Sequence, residues 1–325
     1  MGKISDIYTS YKRSLDKSQQ DYERSIKNRA INAEKLYKDF FKGLTCQGFS
    51  LVGKRNENDK RNLLYREIFR CLKLVDPKYF VIENVKGLAH LYNGKFLRRM
   101  LSGFSRLGYK VQWKNIDAKV YGVPQHRERI IIVGVKKNLK VNYEFPPAEY
   151  GPGLKPYNTL RDAIGEMDKP AKDDHYNKDD WPFFYMSRNR RAGWDSVSFT
   201  IQSYGRHIPI HPSCPPMVRA GKDKFKFAGK KKMYRRLSTR ECARIQTFPD
   251  SFQFVGGLKS RYRLIGNAVP PLFARKIAES IKTMELSRFN KDAAEMSASR
   301  QYIIRQKVAL MVQRKQTRPS VAQGI

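Results

Sequence analysis

Each thing this 325-residue chain lacks removes a class of protein. No run of about 18 apolar residues occurs, so no transmembrane helix is expected. The opening residues Met1-Gly2-Lys3-Ile4-Ser5-Asp6 have no apolar core, which argues against a secretory signal. Cysteine is scarce: four residues, widely spaced and set in unlike surroundings, do not make a disulfide framework. The expected compartment is reducing and cytoplasmic, and it keeps thiols free. His207, His211 and Cys214 lie close together, but no fourth ligand follows at a zinc spacing and prolines crowd the segment, so no metal is expected. No internal repeat is evident. Acid is the largest deficit, with 30 Asp and Glu against 65 Lys and Arg, a formal charge of +35.

What is present fits a globular protein. Hydrophobic content of 40% and aromatic content of 12% are too high for a disordered chain, and the length can bury one large core or two smaller ones. The charge sits on the body and not on a tail. Residues 1–45 contribute +4 (10 basic, 6 acidic) and residues 287–325 contribute +6 (8 basic, 2 acidic), which leaves +25 on residues 46–286. A generic lysine-rich surface is the bland reading; a polyanionic partner, DNA or RNA, is the better one.

Along the chain, residues 1–44 read as an atypical amphipathic helical segment ending near Gly43. Gly48 and Gly53 mark a loop after Cys46. Asn62 reads as the cap of a helix through Leu74, with Cys71 on its apolar face, and Pro77 ends it. Tyr79-Phe80-Val81-Ile82 is a continuous apolar run, expected to be a strand buried on both faces, with Glu83 at its C-terminal end. A helix over Lys95–Leu107 and strands over Val111–Ile116 and Ile130–Val135 follow. This alternation predicts an α/β fold with a mainly parallel sheet over residues 45–138. Periodicity is lost over residues 139–259, which read as a small separate domain or long insertion. Within that region, Ser238 and Glu241 form a capping-box pattern before a short helix. Residues 260–286 end in a helix from Pro271 to Leu286, expected to return to the first domain, and residues 287–325 form a polar tail.

Cys46 is the candidate nucleophile. A thiol attacks as a thiolate, a basic neighbourhood favours that form, and a glycine-containing loop at a sheet edge exposes it. A lone cysteine is more often packing, and Cys71 and Cys242 are read that way. Glu83 suits a general acid or a base-holding carboxylate; its bland alternative is a strand-end carboxylate paired with Lys or Arg.

Five segments occur in order: Thr45-Cys46-Gln47-Gly48-Phe49-Ser50, Glu83-Asn84-Val85, Gln125-His126-Arg127-Glu128-Arg129, Arg240-Glu241-Cys242-Ala243-Arg244-Ile245-Gln246-Thr247-Phe248-Pro249, and Gly266-Asn267-Ala268-Val269-Pro270-Pro271. Together they resemble the DNA (cytosine-5) methyltransferase family over roughly residues 45–286. The resemblance implies a Rossmann-like methyltransferase sheet that uses S-adenosyl-L-methionine on double-stranded DNA, with a target-recognition region at 139–259. It implies that Cys46 adds to C6 of a flipped cytosine and that Glu83 holds the base edge and supplies a proton. Arg129 would contact the base or its backbone, and Arg127 the neighbouring phosphates. Asn62 and Leu63 on one side, and Asn267 and Val269 on the other, would border the cofactor. Gln125, Arg188, Arg190, Arg191, Gln202 and Arg206 would contact DNA, being residue types that read base edges. The stretch from Tyr185 to Arg206 is similar to recognition regions for GGCC-like sites.

The chain also departs from the family pattern. Members carry a Phe-x-Gly-x-Gly strand–loop–helix before the nucleophile, whereas residues 1–45 hold only Gly2 and Gly43. Thr45 stands where the family has proline. Two readings follow: an active methyltransferase, or an inactive or split-subunit DNA-binding remnant whose cofactor half comes from a second polypeptide. An RNA cytosine methyltransferase is the less favoured third.

Overall fold

The computed structural model describes residues 65–167, 169, 174, 181–291 and 294. Cys46, Asn62, Leu63, the expected N-terminal helix and the polar tail beyond residue 294 lie outside the described residues. Helix α1 (Tyr65–Val75) buries Tyr65, Ile68 and Leu72, a stripe at spacings of three and four, with Glu67 and Lys73 placed to suit the helix dipole. Cys71 is half-buried beside that stripe and not part of the core as expected, because the stripe runs through Leu72. Strand β1 (Tyr79–Val85) follows, then helix α2 (Lys95–Arg106), strand β2 (Tyr109–Asp117) and strand β3 (Glu128–Lys136).

The three strands lie in the order β1-β3-β2, and β3 is antiparallel to both neighbours. The expected mainly parallel pairing is therefore corrected. β1 and β2 do run in the same direction across α2, but they leave a slot between them. After β2 the chain turns within ten residues and β3 returns through that slot. Periodicity specifies which segments are strands; it does not specify which strand lies beside which.

β3 is the strand buried on both faces. Ile130 and Ile132 point into one cluster with Leu88, Phe96 and Phe104, while Ile131, Val133 and Val135 point into another with Tyr121, Tyr143, Phe273 and Ile277. The sheet is thus covered on both sides, a layered α/β arrangement. β1, expected to be doubly buried, is only half-buried, and Val81 is 47% exposed; among the described residues β1 pairs on one edge alone. Gly134 is required where it stands: a Cβ there would lie 2.1 Å from the Phe80 ring, which packs between Phe104 and Tyr109.

The irregular region carries helix α3 (Leu160–Ile164), the hairpin β4 (Met217–Gly221) and β5 (Lys224–Phe227), helix α4 (Thr239–Ile245) and helix α5 (Leu258–Asn267). α4 begins at the capping box read from Ser238 and Glu241. Ile201, Ile208, Leu237, Cys242, Ile245, Tyr262 and Ile265 form the apolar centre here, so Cys242 is structural as expected, and burial drives its thiol pKa well up. Residues 271–291 form a last helix, α6, whose Phe273 and Ile277 pack on the sheet. No helix among the described residues is long and apolar enough to cross a membrane.

Candidate active site

The sheet places Glu83 at the C-terminal end of β1, opposite Ile131 of β3. Arg129, at the start of β3, reaches it: the Arg129 Nε–Glu83 Oε1 distance is 2.7 Å, with both side chains mostly shielded. Arg129 also donates to the Glu128 carbonyl at 2.8 Å, which fixes the guanidinium plane. Next to this pair, the Asn84 side chain accepts from the Val85 N–H at 2.8 Å and stiffens the end of the strand. Two of the expected catalytic residues therefore meet, in an ion pair that also matches the bland reading of Glu83.

The loop that delivers Arg129 is organised by Asp117. One Asp117 oxygen accepts from the Arg127 N–H at 2.9 Å, and the other lies 2.8 Å from His126 Nδ1. From residue 125 to 129 burial alternates strictly: Gln125, Arg127 and Arg129 turn inward, whereas His126 and Glu128 face solvent. Glu128 then closes the outer side by accepting from Lys86 Nζ at 2.9 Å and from Asn115 at 3.1 Å.

Arg127 is not at the surface. It is 1% exposed, and its guanidinium donates to the carbonyls of Ile201 at 3.1 Å, Gly266 at 2.9 Å and Ala268 at 2.8 Å. The expected phosphate contact is corrected, since a guanidinium enclosed by three carbonyls has no open side toward a phosphate. Gln125, expected on DNA, is wholly buried as well. Its amide donates to Gln246 at 2.8 Å and its carbonyl accepts from the Ile201 N–H at 2.9 Å, while Gln246 donates to the Ile265 carbonyl at 2.7 Å. Three of the sequence segments that resemble family motifs thus converge on one buried polar hub. Hydrogen bonds there take the place of water for both glutamine side chains and for the two terminal nitrogens of Arg127.

The recognition candidates divide in two. Arg188 and Arg206 are exposed, and Gln202 is half-buried with its side chain 3.2 Å from His207 Nδ1. Arg190 is 8% exposed; it packs on the Tyr185 ring and donates to the Tyr185 carbonyl at 3.2 Å. Arg191 donates to the carbonyls of Cys214 and Pro212, at 3.1 and 2.7 Å. Those two arginines brace the region from inside, a correction to their expected place on DNA. The sequence reading missed Arg235 and Arg236 altogether, and saw Glu241 only as part of a helix cap. Arg235 forms a bidentate pair with buried Glu241 at 2.8 Å, His211 Nε2 approaches the same carboxylate at 3.4 Å, and Arg236 lies over the Trp181 ring at 4.1 Å. Burial pushes the Glu241 pKa up, but Arg235 and His211 outweigh it and the carboxyl is held below its ordinary value. The capping-box pattern had marked Glu241 as a helix cap, with no sign of these further partners.

Of the residues expected to border the cofactor, Asn267 ends α5 with an exposed side chain that has no partner among the described residues, and Val269 is half-buried against the second face of the sheet. Gly266 just before them admits no side chain, because a Cβ would lie 2.3 Å from the Gln202 backbone. This turn is therefore locked to the Gln202–Ser203 backbone on one side and to Arg127 on the other.

The chain thus has a layered α/β fold, with apolar clusters on both faces of the sheet and a carboxylate at a strand end. Its fold is shared with a solved DNA modification methyltransferase encoded within an E. coli prophage: TM-score 0.52 at 21% identity, covering 77% of this chain and 82% of that one. The chain belongs to the C-5 cytosine-specific DNA methylase family, which it matches over residues 3–283. It is 45% identical over 251 residues to the type II methyltransferase M.BsuRI of Bacillus subtilis, and 41% identical over 290 residues to M.BspRI of Lysinibacillus sphaericus. Those alignments cover 74% and 81% of this chain but only 57% and 66% of the two relatives, so the chain spans less than two thirds of their length. A third relative, M.MthTI of Methanothermobacter thermautotrophicus, is 40% identical over 264 residues, covering 75% of this chain and 78% of its own.

Proposed function

We propose that the chain methylates C5 of cytosine in double-stranded DNA, using S-adenosyl-L-methionine. The observation that carries this reading is the shielded Glu83–Arg129 pair at the end of β1, 2.7 Å across, inside a family whose members are described by that chemistry. Cys46 acts as the nucleophile: its thiolate bonds to C6 of an extruded cytosine, and the displaced electron pair makes C5 nucleophilic. Glu83 holds the N3/N4 edge and supplies the proton that neutralises the ring as the thiolate adds. Arg129 is the positioning residue that aims this carboxyl group. S-adenosyl-L-methionine, when bound, supplies an electrophilic methyl group. C5 then loses its proton, and elimination of Cys46 restores the aromatic ring with the new methyl in place.

Asn267 and Val269 suit one wall of the cofactor site, an exposed amide beside a half-buried apolar side chain, and Asn62 and Leu63 are assigned to the other. Arg188, Gln202 and Arg206 contact the duplex at a GGCC-like site, and residues 139–259 act as the recognition region. The place of action is the compartment that holds the DNA, the cytoplasm of a bacterial or infected cell.

Transfer of a labelled methyl group to duplex DNA tests the proposal. Label should appear with the wild-type chain and vanish with Cys46→Ala; equal label in both removes Cys46 from the mechanism. Label that appears only when a second polypeptide is added would assign part of the cofactor site to a partner. RNA supplied in place of DNA should take up none.

A further inference from the structure

The irregular region exposes aromatic rings that its core does not use. Phe183 is 77% exposed, Tyr204 50% and Phe184 45%. Phe184 and Tyr204 flank one imidazole, with ring centroids 5.2 and 5.3 Å from that of His207. His207 is held from behind by Gln202, whose side-chain oxygen lies 3.2 Å from Nδ1. Burial and then the nearby Arg190, Arg236 and Arg206 push its pKa down, which favours the neutral ring. Exposed Arg188 and Arg206 stand on the same two segments as the rings.

This cluster is rigidly tied to the active site. Ile201 is fixed by Arg127 and Gln125, and the Gln202–Ser203 backbone touches Gly266 so closely that no Cβ fits between them. Tyr204 follows directly, and Arg127 is two residues from the arginine that holds Glu83. Two exposed rings around a half-buried imidazole, with cationic neighbours, suit a flat, aromatic, anionic partner. Every nucleobase has a π-face, but a base inside an intact duplex keeps that face covered by its neighbours.

We propose that Phe184, His207 and Tyr204 form a stacking surface for nucleobases unstacked where the duplex is opened beside the extruded cytosine. The inference rests on the DNA-binding reading above and deepens it. The partner class is an unpaired base of the substrate itself. Arg188 and Arg206 hold its backbone while the rings cover its face. The surface is separate from the groups that attack cytosine, so it governs how well the opened duplex is held and not the bond-making steps.

The test uses the full chain and two labelled duplexes, one fully paired and one with a single unpaired base, measured by fluorescence anisotropy at one fixed salt concentration. Wild type should prefer the duplex with the unpaired base. Phe184→Leu with Tyr204→Leu keeps apolar bulk but removes two rings. It should weaken binding of that duplex by roughly tenfold and leave the paired duplex within about twofold. Phe184→Tyr with Tyr204→Phe should restore the preference. An equal loss on both duplexes, or no loss, overturns the stacking surface. A wild-type chain that binds neither duplex overturns the DNA reading beneath it, and one that binds both equally overturns only this inference. Tyr204→Trp gives a second readout in case the leucine variant misfolds. Its emission should be quenched by the duplex with the unpaired base and little changed by the paired one; emission unaffected by either contradicts the proposal.

Discussion

The sheet and the irregular region after it are stabilised by different means. In the sheet, β3 sends alternate aliphatic side chains into two apolar clusters, and the polar work is done by the backbone ladder. In the irregular region, arginines and a buried glutamate join short segments: buried Arg190 on Tyr185, buried Arg236 on Trp181, half-buried Arg235 on Glu241. Where the backbone makes few regular hydrogen bonds, side chains must satisfy its carbonyls, and arginine with five donors suits that task. Arg127 sits at the boundary and binds one region to the other.

The comparison can be broken most sharply at the two arginines of the 125–129 segment. If Arg129 positions Glu83, Glu83→Gln should cost about a hundredfold or more in methyl transfer while the folded chain keeps its thermal stability. Activity within a few-fold of wild type would return Glu83 to a plain strand-end ion pair. Arg127→Ala should do the reverse. It leaves three buried carbonyls unpaired and should lower unfolding free energy by about 3 kcal/mol or more in denaturant titration. A value under about 1 kcal/mol would mean that the carbonyls find other donors or water.

Within the sheet the sensitive quantity is volume. Gly134→Ala adds one methyl against the Phe80 ring and should destabilise by about 1–3 kcal/mol, with a matching fall in Tm. A neutral result would show that Phe80 has room to move. The smallest effect is expected where α6 meets β1. The Tyr79 hydroxyl donates to Glu285. Pairing with Arg288 comes first among the reasons that the Glu285 pKa lies near 2, and burial comes first among those that raise Tyr79 to about 12. A depressed carboxylate contributes fully above its ordinary value of 4.5 and loses that contribution as pH falls toward 2; a raised phenol contributes fully below 10 and loses it as pH rises toward 12. The stability of wild type relative to Tyr79→Phe should therefore be flat between those limits and shrink outside them. A difference that does not change with pH would mean that the pair is not coupled.

Much of this was legible in the sequence, for identifiable reasons. The helices and strands of the sheet follow from apolar spacing, and the cap at Ser238 follows from a glutamate three residues on. The order of strands was not legible, because pairing β3 between β1 and β2 is a non-local fact. Nor was the burial of Gln125 and Arg127, since polar residues in a motif suggest a ligand before they suggest an interior. One signal did exist: Gln125, Arg127 and Arg129 alternate with His126 and Glu128 at the period of a strand, so the first three share a face that leads into Ile130–Val135. The same extended segment that aims Arg129 at Glu83 therefore had to bury Arg127.

In the proposed reaction Cys46 bonds to cytosine while Glu83 holds the base. Duplex DNA with 5-fluorocytosine at the target position tests it directly, because fluorine at C5 cannot leave as a proton does and the thioether to C6 cannot eliminate. In the presence of S-adenosyl-L-methionine, the account predicts a protein–DNA adduct that survives denaturing electrophoresis with wild type and is absent with Cys46→Ala. An adduct of equal yield in both, or none with wild type under conditions where it binds the duplex, would contradict the account.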